Sequence, residues 1–134
     1  MSVVDASVFV ASVIRDEKYH AEAVAWLNRA LAETATLDVP AIVLSEVAAA
    51  ISRGQDDDEL AKRTLNLLLS TDLIQIFAVT PELARRAAEI GLEQRIRGCD
   101  AVYVALAEQL GTELVSLDQQ QLERATAVIP TRHP

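Results

Sequence analysis

The sequence predicts an α/β fold, a three-layer α/β/α sandwich built on a short, largely parallel central sheet. Short apolar runs of strand length alternate with longer segments of helical apolar spacing, the order expected when helices cover both faces of a parallel sheet. The composition is 51% hydrophobic but only 4% aromatic, which describes an aliphatic core rich in Ala, Val and Leu. No repeat, low-complexity tract or Pro/Gly/Ser linker divides the 134 residues, so residues 1–134 read as a single domain.

Ser2 to Val4 is the first strand candidate, and Ala6 to Arg15 is apolar enough for a buried helix. Tyr19, Ala23, Trp26, Leu27, Ala30 and Leu31 then form a helical stripe. Thr36 to Val39 is the second strand. After Pro40, Val43, Val47, Ala50 and Ile51 repeat the helical spacing, and Asp56 to Asp58 open a further helix carrying Leu60, Ala61, Leu65 and Leu68. Leu73 to Val79 is the third strand. Thr80-Pro81-Glu82 combines a capping hydroxyl, Pro at the first helical position and an acid in the first turn. Asp100 to Leu110 reads as a buried helix stopped by Gly111. Glu113 to Ser116 is the fourth strand, Gln119 to Ala125 a short helix and Thr126 to Ile129 the last strand.

Several classes are excluded. The lone Cys99 cannot form an internal disulfide, so a reducing compartment, by default the cytoplasm, is expected. The apolar stretch Val3–Ile14 contains Asp5 and has no basic segment before it, unlike a secretory signal. No apolar run is long enough to span a membrane. A net charge of -8 argues against coating nucleic acid by bulk electrostatics, yet a carboxylate metal site is itself acidic.

Acidic residues carry the functional signal. Ligands of open parallel sheets gather beyond the carboxyl ends of the strands, which selects Asp5 and Asp118, each just after a strand candidate. Both also read as helix caps, Asp118 with Gln121 in capping-box spacing. Asp100 opens its apolar helix and carries the same two readings. Glu46 lies beside the apolar stripe of its helix and therefore faces inward, so it needs a cation, a donor or a cleft. A structural Glu–Arg pair is the alternative. Ser7 reads either as orienting a ligand or water, or as bonding local backbone. Carboxylates gathered at one sheet end repel one another unless a hard cation sits among them, and an all-oxygen set suits Mg²⁺ or Mn²⁺. Such an ion polarises a phosphoryl oxygen and lowers the pKa of a water nucleophile.

The segments Val3-Val4-Asp5-Ala6-Ser7-Val8, Ser45-Glu46-Val47, Cys99-Asp100-Ala101-Val102-Tyr103-Val104-Ala105-Leu106-Ala107 and Val115-Ser116-Leu117-Asp118 resemble the motifs of PIN domains, in order and across essentially the whole chain. The flavour is that of VapC-like toxins of toxin–antitoxin pairs. The resemblance implies a PIN-type α/β/α fold, Mg²⁺- or Mn²⁺-dependent cleavage of an RNA substrate, homodimerisation and inhibition by a cognate antitoxin protein. It carries the family's acidic positions onto Asp5, Glu46, Asp100 and Asp118, and a small hydroxyl position onto Ser7. Ser116 departs from the family's usual Thr but keeps the hydroxyl.

The remaining residues read more plainly. Cys99 is expected to pack as a small hydrophobe. Arg95 and Arg97 reach either substrate phosphate or solvent, and Arg15, Arg53 and Arg63 carry the same ambiguity. His20 and His133 have no Ser or Cys partner. Trp26 and Tyr103 are expected in the core or an interface, the Trp26 stripe serving a homodimer. Two other functions stay open, a catalytically lapsed PIN-fold binding module and an acidic receiver-like signalling domain.

Overall fold

The computed structural model describes residues 1–134. The chain runs β1 (Ser2–Val4), α1 (Ala6–Val13), α2 (His20–Ala32), β2 (Leu37–Pro40), α3 (Val43–Gln55), α4 (Asp58–Ser70), β3 (Ile74–Phe77), α5 (Pro81–Gln94), α6 (Gly98–Leu110), β4 (Leu114–Val115), α7 (Gln119–Ala125) and β5 (Thr131–Arg132). The strands form one sheet in the order β3-β2-β1-β4-β5, and every pairing is parallel.

This order explains both the layering and the place of the site. From central β1 the chain steps outward through β2 to β3, then crosses back through α5 and α6 to β4 on the other side of β1. Right-handed crossovers put α1–α4 on one face and α5–α7 on the other. The direction of winding reverses between β1 and β4, the switch point at which crevices open beyond the strand ends. Because β1 is covered on both faces, all three of its residues are buried, and its apolar run is continuous rather than alternating.

Local chemistry sets the boundaries. Asp5, Asp57, Thr80 and Asp118 each accept a backbone N–H bond as side-chain N-caps, and Gly111 ends α6 at φ 64°, a left-handed conformation that costs glycine little. Pro40 closes β2 opposite Phe77 of β3, while the β1–β2 register ends at Asp38.

Four expectations are corrected. Thr126–Ile129 is a turn, not a strand, because Val128 and Ile129 both donate to the Ala125 carbonyl and Thr126 Oγ1 donates to Glu123 O. The last strand lies further on, at Thr131–Arg132. Helix α6 starts at Gly98 with Arg97 as N-cap, so Asp100 is a first-turn residue rather than a cap. Cys99 is exposed, since it sits on the outer side of that first turn. Trp26 is only 5% exposed, so its ring is a core group and not part of a homodimer surface, although Leu31 of the same stripe remains exposed. No helix is long and apolar enough to cross a membrane.

One buried group works against the fold. Asp38 on β2 is 2% exposed and its Oδ2 has no hydrogen-bond partner, so burial raises its pKa, with the chain amino terminus opposing. A carboxyl raised on folding contributes stability that is present below about pH 3.9, its unfolded value, and lost as pH rises through the folded value. Asp38→Asn, which removes the buried charge while leaving an equally unpartnered amide, is therefore expected to gain on the order of 1 kcal/mol at pH 7. The gain should vanish toward pH 4 in urea denaturation curves; an equal gain at both pH values would show that titration is not the cause.

Candidate active site

Strand β1 delivers Asp5 and β4 delivers Ser116, Leu117 and Asp118 to the switch point, because Val4 pairs with Val115 and Asp5 N donates to Val115 O. Asp5 is 6% exposed; its Oδ2 accepts from Ser7 N at 2.9 Å, which caps α1. Asp118 Oδ1 accepts from Gln121 N at 3.1 Å, which caps α7. Cap and site residue are thus compatible readings, since the helix takes only one carboxylate oxygen of each acid.

A polar seam joins the two turns. Ser7 Oγ accepts from Leu117 N at 3.1 Å and lies 3.4 Å from Ser116 Oγ. Ser7 therefore bridges to the β4 turn instead of bonding its own helix. Ser116 Oγ donates to Gln121 Oε1 at 2.6 Å and accepts from Asp118 N at 3.0 Å. Gln121 Nε2 then reaches Asp5 Oδ1 at 3.3 Å and the Asp100 carbonyl at 3.2 Å. The capping box expected at Asp118 is only half made, because the Gln121 side chain turns inward to bind Asp5 and α6.

The remaining acids arrive from opposite layers. Glu46, in the first turn of α3, accepts from the Tyr103 hydroxyl of α6 at 2.6 Å. Its inward orientation is as the sequence implies, but the partner is a tyrosine and not an arginine. Asp100 Oδ2 accepts from Arg97 Nε at 3.2 Å, with Arg97 79% exposed and Asp100 13%.

All four carboxylates share one field. Burial raises the pKa of Asp5, the Ser7 and Gln121 donors oppose it, and Asp100 raises it further. Burial likewise raises Glu46; Tyr103 and Arg97 hold it down while Asp5 and Asp100 push it up. Asp100 is raised by burial and by Asp118, against Arg97. Tyr103 is raised by burial and by Asp5 and Glu46, so its hydroxyl keeps its proton and stays a donor.

No three carboxylate, imidazole or thiol side chains are gathered closely enough to hold an ion between them. The donor set still fits a hard divalent cation. Mg²⁺ takes oxygen ligands, needs only one or two carboxylates and keeps several waters, and positive charge would relieve the repulsion just described. Asp5, Asp100, Glu46 and Asp118 are the residues able to supply those oxygens.

Tyr103 and Gln121 are the side chains bonded to the candidate acids that the sequence reading missed. Tyr103 is fully buried and reads as core; only Glu46, 57 residues away, reveals its polar end. Arg97 is paired within the site, while Arg95 is the left-handed C-cap of α5, its carbonyl accepting from Arg124.

The PIN-domain family pattern matches residues 2–127. No curated protein matches the chain. The fold is similar to that of VapC20 from Mycobacterium tuberculosis, a sarcin-ricin-loop-cleaving toxin (TM-score 0.71, 21% identity, 85% of this chain and 87% of that one). It is also similar to FitAcB from Neisseria gonorrhoeae (TM-score 0.73, 17% identity, 98% and 96%) and to VapBC2 from Rickettsia felis bound to a fragment of its promoter DNA (TM-score 0.71, 16% identity, 98% and 97%). The receiver reading falls here, since the receiver sheet order 2-1-3-4-5 differs from 3-2-1-4-5.

Tyr103→Phe is expected to cost about 1.5–3 kcal/mol, the value of a hydrogen bond to a charged group, and to raise the Glu46 pKa. Carboxyl-selective NMR titration with urea denaturation checks both; an unmoved Glu46 titration would show that the hydroxyl does not hold the carboxylate.

Proposed function

This chain belongs to the PIN-domain family, and from that premise we propose that it is a divalent-metal-dependent ribonuclease and the toxin of a toxin–antitoxin pair. The observation that carries the reading is the convergence of Asp5, Asp100, Glu46 and Asp118, from four separate segments, on the β1/β4 switch point. Two of them cap helices, but capping does not require four carboxylates to face one region. A bound Mg²⁺ or Mn²⁺ would polarise the scissile phosphoryl group and supply an activated water.

The protein's own residues do the rest. Gln121 and Ser7 N fix the Asp5 carboxylate, Tyr103 fixes Glu46, and the Ser7–Leu117 bond holds the two strand-end turns together. Asp118, whose Oδ1 caps α7, is assigned a supporting role, to a second ion or a bound water. Arg97, exposed and already facing Asp100, is positioned to meet substrate phosphate when the cation takes over its partner.

The partner reading rests on a different surface. A groove of about 180 Å³ runs between α1, α2 and α4, lined by Phe9, Val13, Leu27, Leu31, Leu67 and Leu68, with Leu67 60% exposed. We assign it to an apolar segment of a cognate antitoxin. A solved structure of similar fold is a toxin–antitoxin complex from Klebsiella pneumoniae. A homodimer would have to use other exposed apolar positions, such as Leu69 or Leu92, rather than Trp26.

Purified protein is expected to cleave a mixed cellular RNA pool with Mg²⁺ or Mn²⁺ and not with chelator. Asp5→Asn should lower the rate about a hundredfold or more, as loss of metal-derived stabilisation requires. Asparagine caps as well as aspartate, so the variant should keep its fold, with the loss of about one hydrogen bond where its Nδ2 meets Gln121 Nε2 donor to donor. Metal should raise the parent's Tm and not the variant's. Full activity in Asp5→Asn, or cleavage in chelator, would refute the assignment. Asp118→Asn is expected to lose less rate than Asp5→Asn in the same assay; equal losses would reject its supporting role.

A further inference from the structure

A second cavity, of about 300 Å³, opens directly off the acidic site, sharing Ser7 and Asp118 with it. Its floor is apolar, formed by Val10, Ala11 and Leu117. Its outer wall comes from the α1–α2 connection, where Glu17, Lys18 and Tyr19 line it. Tyr19 is half-buried, and its ring meets the His133 ring edge-on at 4.8 Å and 77°. Lys18 Nζ lies over the Tyr19 ring, 5.0 Å from its centroid. An aromatic plane is thus braced on one side by a second ring and covered by an ammonium, at the rim of a cavity that touches two candidate site residues.

We propose that this cavity is a nucleobase subsite, in which Tyr19 stacks a base of single-stranded RNA next to the scissile bond and Lys18 pairs with that nucleotide's phosphate. The proposal rests on the ribonuclease reading and names the part of the substrate held beside the cleavage point. The chemistry favours a base over a phosphate inside the cavity. Glu17 and Asp118 would repel an anion, whereas a neutral, flat ring gains from the apolar floor and the aromatic plane, with Ser7 as a polar group at its edge. Stacking on an aromatic side chain is available to every base. The volume is at the lower end of the ~300–1,000 Å³ range of small-ligand pockets, suited to one nucleoside. A base that stacks on Tyr19 displaces the Lys18 ammonium from the ring, and the freed charge lies where the sugar-phosphate leaves the cavity. The same ring contact that holds Lys18 in place without RNA is exchanged for a base when RNA binds.

The test uses the full chain carrying Asp5→Asn, so that RNA is not consumed, and a short fluorescein-labelled single-stranded RNA of mixed sequence read by anisotropy. Adding Tyr19→Leu, which keeps apolar bulk but no aromatic face, is expected to weaken binding about tenfold or more; adding Tyr19→Phe should leave it within about twofold of the parent. Lys18→Gln should flatten the dependence of log K on log salt by about 0.7, the value of one single-strand phosphate contact, a slope that a purely structural role would not move. Equal affinity of the Tyr19→Leu protein and its parent, or an unchanged slope for Lys18→Gln, would overturn the subsite while leaving the ribonuclease reading intact. No RNA binding by the parent would overturn both.

Discussion

The structure depends on holding like charges together. Four carboxylates from the ends of β1 and β4 and the first turns of α3 and α6 face one region, and burial compounds their repulsion. What makes the arrangement tolerable is a donor for each. Asp5 has Ser7 N and Gln121, Glu46 has Tyr103, Asp100 has Arg97, and Asp118 has the first turn of α7. Each donor comes from an element that must be packed correctly for the contact to exist, so the site and the fold impose the same geometry.

Helix capping carries part of this load. Two of the acids sit at N-caps, where the backbone would require a short polar side chain in any case. A carboxylate there satisfies a free N–H, meets the favourable end of the helix dipole, and still presents a second oxygen. Asp100 in the first turn of α6 and Glu46 in the first turn of α3 benefit from the same dipole. All four acids therefore stand at helix starts, and in a parallel α/β sheet the helix starts lie beyond the carboxyl ends of the strands. The topology concentrates negative charge where helix dipoles best accept it.

The seam formed by Ser7, Ser116 and Gln121 performs a different task. It ties the β1–α1 turn, the β4–α7 turn and α6 into one unit without adding charge. Gln121 is suited to this because its amide offers an acceptor to Ser116 and donors to Asp5 and to the Asp100 carbonyl. A carboxylate at that position would turn attraction to Asp5 into repulsion. Asp38 shows the opposite case, a buried carboxyl whose Oδ2 has no donor, with only the charge of the chain amino terminus to oppose its burial.

The alternation of elements, the aliphatic core and the four acidic positions were legible in the sequence because they rest on short-range regularities: periodicity, capping chemistry and the residues flanking each strand. The inward turn of Glu46 followed from its place beside an apolar stripe. Other features were not legible. Thr126–Ile129 has strand-like composition, but its backbone bonds close locally onto Ala125. Trp26 read as core or interface, and only the packing of α2 against α1 decided for the core. Tyr103 and Gln121 read as a core aromatic and a capping residue because their partners, Glu46 and Asp5, lie far away in the chain. The sequence by itself determined which groups carry charge and where helices begin; only the tertiary structure decided which donor meets which acid, because those pairings join segments brought together by strand order, and no local preference encodes them.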